Sequence, residues 1–206
     1  MSLVNRVQNI LMKPAAEWEV IANEPASVGG LFTGYAVILA AIAPIMSILF
    51  LGLLGMGGMG MGGITMGMPL IAATAAATYV ISLAILYLMS LIVNAISPSF
   101  NGRSDMVQAT KLMTYASTPV WIAGLVSWIP VIGFLISLAA IAYVVYLIYL
   151  GLRPVLGVPQ EKLAGFTVVI VLVYIVLSMV LSAIIVGVVV SSVVGTGMMA
   201  GSMAGV

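Results

Sequence analysis

The chain has 206 residues, 64% of them hydrophobic and only 5% charged, and its formal net charge is +1. A soluble domain is about a quarter charged, so lipid must be the main solvent, and a near-neutral balance offers nucleic acid no basic stripe. The absence of Cys and His excludes disulfides, thiolate metal sites, the Ser-His-Asp triad and the commonest general base. The chain therefore reads as a non-enzyme with no resident cofactor.

Residues 1–30 are too polar to span a membrane. Leu3, Val4, Val7, Ile10 and Leu11 recur at helical spacing, with Asn5, Arg6, Gln8 and Asn9 opposite. Pro14 then opens a second short helix with Trp18 and Ile21 on one side and Glu17 and Glu24 elsewhere. The pattern predicts two short amphipathic helices on the cytoplasmic interface. A cytoplasmic helix packed on the spans fits equally, and a docking face for a soluble partner is compatible with either. Three glutamates ahead of an apolar run too long for a signal h-region argue against a cleaved leader. Ser at position 2 and the lack of Cys argue against lipid anchors.

A helical span needs about 20 apolar residues. Five candidates follow: Leu31–Leu54 with Pro44 inside, Leu70–Ile96, Leu112–Ile129, Val131–Leu152 and Leu163–Val190. The third is short, about 27 Å of helix, and Ser117-Thr118-Pro119 interrupts it. With the fourth it forms either two crossings or a re-entrant hairpin. The eleven charges lie in the N-terminal segment, in Arg103–Lys111 and in Arg153–Lys162. Five crossings put every Lys and Arg on one face, and that face is the cytoplasmic one. The fold expected is an all-α integral membrane protein: a 1–30 interfacial segment, a 31–190 five-helix domain with N-terminus inside and C-terminus outside, and a flexible Gly/Ser/Met-rich tail at 191–206.

Tyr143-Val144-Val145-Tyr146-Leu147-Ile148-Tyr149-Leu150-Gly151-Leu152, then Pro154, Gly157-Val158-Pro159-Gln160-Glu161-Lys162 and Gly165-Phe166-Thr167, resemble the signature of the Yip-domain (Ypt-interacting-protein) family. So do Leu11, Pro14, Trp18, Ile21 and Glu24, and Thr118-Pro119 with Ile129-Pro130 and Gly133. The resemblance runs from about Leu3 to Val190. It implies five membrane helices with a cytosolic N-terminus. Eukaryotic members act in vesicle trafficking with small GTPases. This chain lacks their long polar N-terminal region, carries Arg153 within the Gly-Leu-Pro stretch and has Phe166 where Tyr is usual. The resemblance therefore points to the bacterial branch and the cytoplasmic (inner) membrane.

Several residues are candidates for binding. The Gly/Met stretch at 55–68 brings Met56, Met59, Met61, Met66 and Met68 close together, on the same face as Met198, Met199 and Met203 of the tail. Thioethers are soft ligands that favour Cu(I); a shallowly inserted loop using Met as an adaptable hydrophobe is the simpler reading. Asn94 and the hydroxyls Thr74, Thr78, Ser82, Thr114, Ser117, Thr118, Ser178 and Ser182 lie within spans. Bonds back to helix carbonyls explain them best. Gly30-x-x-x-Gly34 and the alanine rows let helices approach closely. Trp18, Tyr149, Arg103, Lys111, Arg153 and Lys162 are candidates to grip lipid headgroups or a partner. The chain thus reads as a membrane scaffold or accessory subunit, whose partners are the bilayer and either another membrane protein or further copies of itself. A small channel or transporter, handling Cu(I) through the Met loop, is the alternative.

Overall fold

A computed structural model of the chain describes residues 2–53 and 68–204, with side chains described at 2–50, 68 and 71–183. Every regular element among them is helical. Two short helices, α1 (Leu3–Met12) and α2 (Pro14–Asn23), precede the first long one, α3 (Val28–Phe50). Then come α4 (Met68–Ile96), the short pair α5 (Met106–Ala116) and α6 (Thr118–Ala123), α7 (Ile132–Leu156) and α8 (Leu163–Ala204). Backbone helix thus continues through the stretch where composition suggested a tail.

Four helices among the described residues are long and apolar enough to cross a membrane: Val28–Phe50, Ile71–Phe100, Ile132–Leu156 and Gln160–Ala183. The expected third span is not one continuous helix. Pro119 has no N–H to give the Tyr115 carbonyl four residues back. Thr118 fills the gap, its hydroxyl donating to Tyr115 O at 2.7 Å. The Tyr35 hydroxyl donates in turn to Thr118 Oγ1 at 2.9 Å, which ties the break to α3. After Ala123 the chain runs in successive turns, Gly124–Ile129, and ends in a tight γ-turn that holds Val131 at φ 61°. The α5–α6 pair packs along α7. In α3, Ala41 breaks the helix just ahead of Pro44, for the same missing-donor reason.

Of the two readings open for residues 1–30, the packing matches the helix pair laid on the spans: α2 packs against α7 and α5, and α1 against α6. Ile10, Trp18 and Ile21 are fully buried. The hydrophobic face of α1 is also rotated from the one expected, since Val4 is exposed while Arg6 is buried. The core itself is lopsided. It comprises Ile10, Trp18 and Ile21 with Leu112, Leu147, Leu152, Leu156 and Phe166, all near the end where α7 finishes and α8 begins. Toward the other end, Phe134, Leu138, Ile141, Leu172, Val176 and Met179 are exposed, as a lipid-facing surface requires.

Gly151 makes the close approach of α2 to α7 possible. A Cβ there would stand 2.9 Å from Trp18 Cε2 and 2.6 Å from Leu112 Cδ1. Leu112 can yield; the indole cannot without leaving its slot. Gly151→Ala should therefore destabilise the protein by about 1–3 kcal/mol, an overpacking cost. Trp fluorescence during denaturation in detergent micelles should show the loss.

Candidate functional site

The polar side chains of the described residues concentrate where α2 and α7 end. At each of these helix C-termini, carbonyls lack intrahelical partners and a basic side chain answers them. Lys111, only 2% exposed, sends its ammonium to Ile21 O (2.7 Å), Glu24 O (2.6 Å) and Ala22 O (3.5 Å). Arg103 does the same for α7. Its guanidinium donates to Val155 O at 2.6 and 3.0 Å and to Pro154 O at 3.4 Å, and its backbone N–H to Leu156 O at 2.8 Å. Gly157 closes that helix at φ 69°, a conformation that suits glycine.

A second charge cluster lies beside the first. Arg6 donates to the carboxylates of both Glu17 and Glu24, and Asn9 Nδ2 to Glu17 Oε2 at 3.0 Å. Arg6 also stands over the Tyr115 ring, 5.3 Å from its centroid, and Tyr115 meets Tyr35 edge-on at 4.8 Å. Arg6 and Glu17 are almost wholly buried, so the pair must be satisfied within the protein. Sequence reasoning missed this cluster because it placed Arg6 on the polar side of α1. The signal that could have found it is the opposite charge of Glu17 and Glu24 on a helix folded back by Pro14.

Of the expected binding residues, the structure uses Trp18, Arg103 and Lys111 internally. The Trp18 indole N–H is buried without a hydrogen-bond partner. Lys162 reaches Asn101 Oδ1 at 3.0 Å, and the Tyr149 hydroxyl accepts from Gln160 Nε2 at 3.3 Å. Arg153 is exposed. These residues do not converge on one point: Trp18 lies on α2 and Lys111 caps its end, while Arg103 lies in the 97–105 loop, which Lys162 meets at Asn101. Met56, Met59, Met61 and Met66 lie outside the described residues; Met68 opens α4 and is exposed. Ser82, Ser117, Thr118 and Ser178 bond back to helix carbonyls as expected. Thr114 is buried without a partner. The Asn94 side chain accepts from Ser104 at the loop.

The buried ion pair makes a sharp prediction. Arg6→Met strands the Glu17 carboxylate and should cost about 3–5 kcal/mol, whereas Arg6→Met with Glu17→Met removes both charges and should recover most of it. Denaturant titration of the two variants checks this.

The Yip1 domain family model matches residues 9–183. The inner membrane protein YohC of Escherichia coli strain K12 is 24% identical over 166 residues, covering 80% of this chain and 85% of that protein. The same protein from an O6:H1 strain of E. coli matches to the same extent. No solved structure matches. The matched segment takes in the α1–α2 turn, the Thr118-Pro119 break and the α7–α8 corner, so the chain belongs to the Yip1 domain family of membrane proteins.

Proposed function

We propose that this chain is a non-enzymatic scaffold or accessory subunit of a bacterial inner membrane, presenting one rigid charged end to a membrane-protein partner. Inner-membrane placement follows the name of the E. coli relative. The proposed topology has five crossings, with α5–α6 as a broken third one, the N-terminus cytoplasmic and the C-terminus outside. Its support is the charge distribution: Arg103, Lys111, Arg153 and Lys162 lie toward the end of the bundle where α7 stops and α8 starts, the side that Lys and Arg mark as cytoplasmic.

One observation carries the scaffold reading. The buried charges of this end are committed to helix termini and to one another, while Arg153 and Glu161 stay exposed on a corner held by Pro159, by the Lys162–Asn101 bond and by the stacked rings of Phe100 and Phe166 (4.5 Å, 3°). A fixed corner with exposed charges suits recognition of a partner, where charge sets specificity and on-rate more than affinity. Removing residues 2–23 is the wrong test, since it would uncover the core.

Arg153→Glu with Glu161→Lys reverses the two exposed charges of the corner and leaves the core untouched. Native mass spectrometry of the protein released from its own membrane should show a complex of fixed stoichiometry with another polypeptide. The double variant should lose that complex while unfolding at the parent temperature. A parent found only as monomer or homo-oligomer, or a complex indifferent to charge reversal, would overturn the reading.

A further inference from the structure

A cleft of about 400 Å³ opens between the starts of α1 and α3 and the middle of α5. Ligand sites run from about 300 to 1,000 Å³. Arg6, Glu24, Tyr35 and Tyr115 line it, and Gly30 and Gly34 form one wall. Gly30-x-x-x-Gly34 is a pattern that brings helices together, yet a Cβ on Gly34 would meet nothing within 4 Å. The wall has been left open.

Three groups on the cleft have binding capacity to spare. Tyr115 is only 9% exposed, and its hydroxyl bonds to no described residue. Glu24 gives one carboxylate oxygen to Arg6, and its side chain stays 37% exposed. Arg6 has five N–H groups, of which its bonds to Glu17 and Glu24 engage two. A bare anion would meet the Glu24 carboxylate, and a bare cation would meet Arg6 and Lys111. The cleft therefore matches a ligand carrying both signs. Beyond Gly34, α3 enters its apolar stretch with Ile38 and Ile45 exposed, so polar cleft and lipid-facing surface are continuous.

We propose that the cleft binds a phosphoethanolamine group borne by a membrane phospholipid. The ammonium pairs with Glu24, the phosphate takes the Tyr115 hydroxyl and the remaining Arg6 N–H groups, and the acyl chains run along α3 past Ile38. The assignment needs the cleft to sit at a membrane surface and holds for either leaflet.

The test is native mass spectrometry of the full chain in micelles doped with equimolar phosphatidylethanolamine and phosphatidylglycerol. The parent should retain one phosphatidylethanolamine, preferred over phosphatidylglycerol by about tenfold, the size of one charge-assisted hydrogen bond. Gly34→Leu, which fills the cleft, should abolish retention, and Tyr115→Phe, which removes a hydroxyl that faces the phosphate and bonds to no described residue, should lower the fraction of protein that retains phosphatidylethanolamine several-fold. Their unfolding temperatures should match the parent's. Equal retention of the two lipids by the parent, or unchanged phosphatidylethanolamine retention in both variants, would overturn the proposal. Displacement of the lipid by equimolar soluble glycerophosphoethanolamine would overturn the lipid assignment in favour of a soluble ligand.

Discussion

A buried lysine ammonium seated on the last carbonyls of a short helix holds this molecule's N-terminus in its core. Lys111 Nζ reaches Ile21, Ala22 and Glu24 oxygens at the end of α2. A lysine this buried pays a large desolvation cost, which full coordination and the negative end of the helix dipole offset. Because α2 ends there, Trp18 falls into the slot that Gly151 leaves open and Ile21 closes over the core. Because α2 is fixed, Glu17 and Glu24 face Arg6, and the cation on α1 is neutralised where water is scarce. Arg103 repeats the arrangement on α7 and anchors the 97–105 loop.

This arrangement separates two kinds of solvent along one bundle. Near the charged end, Leu152, Val155 and Leu156 of α7 and Leu163, Phe166 and Ile170 of α8 are buried in the core with α2 and α5. Farther along, the same helices face outward with unpaired leucines, isoleucines and valines. A lipid tail is as apolar as leucine, so packing there gains little from the hydrophobic effect. Tertiary specificity is accordingly concentrated in the polar end, where hydrogen bonds have defined partners. The Thr118-Pro119 break belongs to the same logic: a missing amide is replaced by a hydroxyl, and that hydroxyl recruits Tyr35 from another helix.

The class of molecule and the position of four long helices were legible from apolar runs, because length and hydropathy are local properties. The break at Pro119 was legible too, for a missing donor is written in the residue itself. The α1 face was not. A helical wheel assigns Arg6 to water because charge usually stays there, and only the return of α2 supplies the two carboxylates that permit its burial. Lys111 and Arg103 invite a lipid headgroup or a partner for a related reason. Nothing local shows that each lies opposite the end of a helix distant in sequence. Gly30 and Gly34 invited a helix contact, but whether a neighbour arrives depends on where α1 and α5 stand.

The absence of Cys from the chain makes the decisive measurement direct. Val20→Cys and Ile21→Cys, placed singly, report on neighbouring α2 positions that are exposed and fully buried, respectively. In native membranes a soluble maleimide should label position 20 readily and position 21 only after denaturation. Adding Lys111→Met should make position 21 reactive without denaturant. Equal labelling of both positions in the parent background would contradict the account, because α2 would then lie free of the bundle that Lys111 is argued to hold it in.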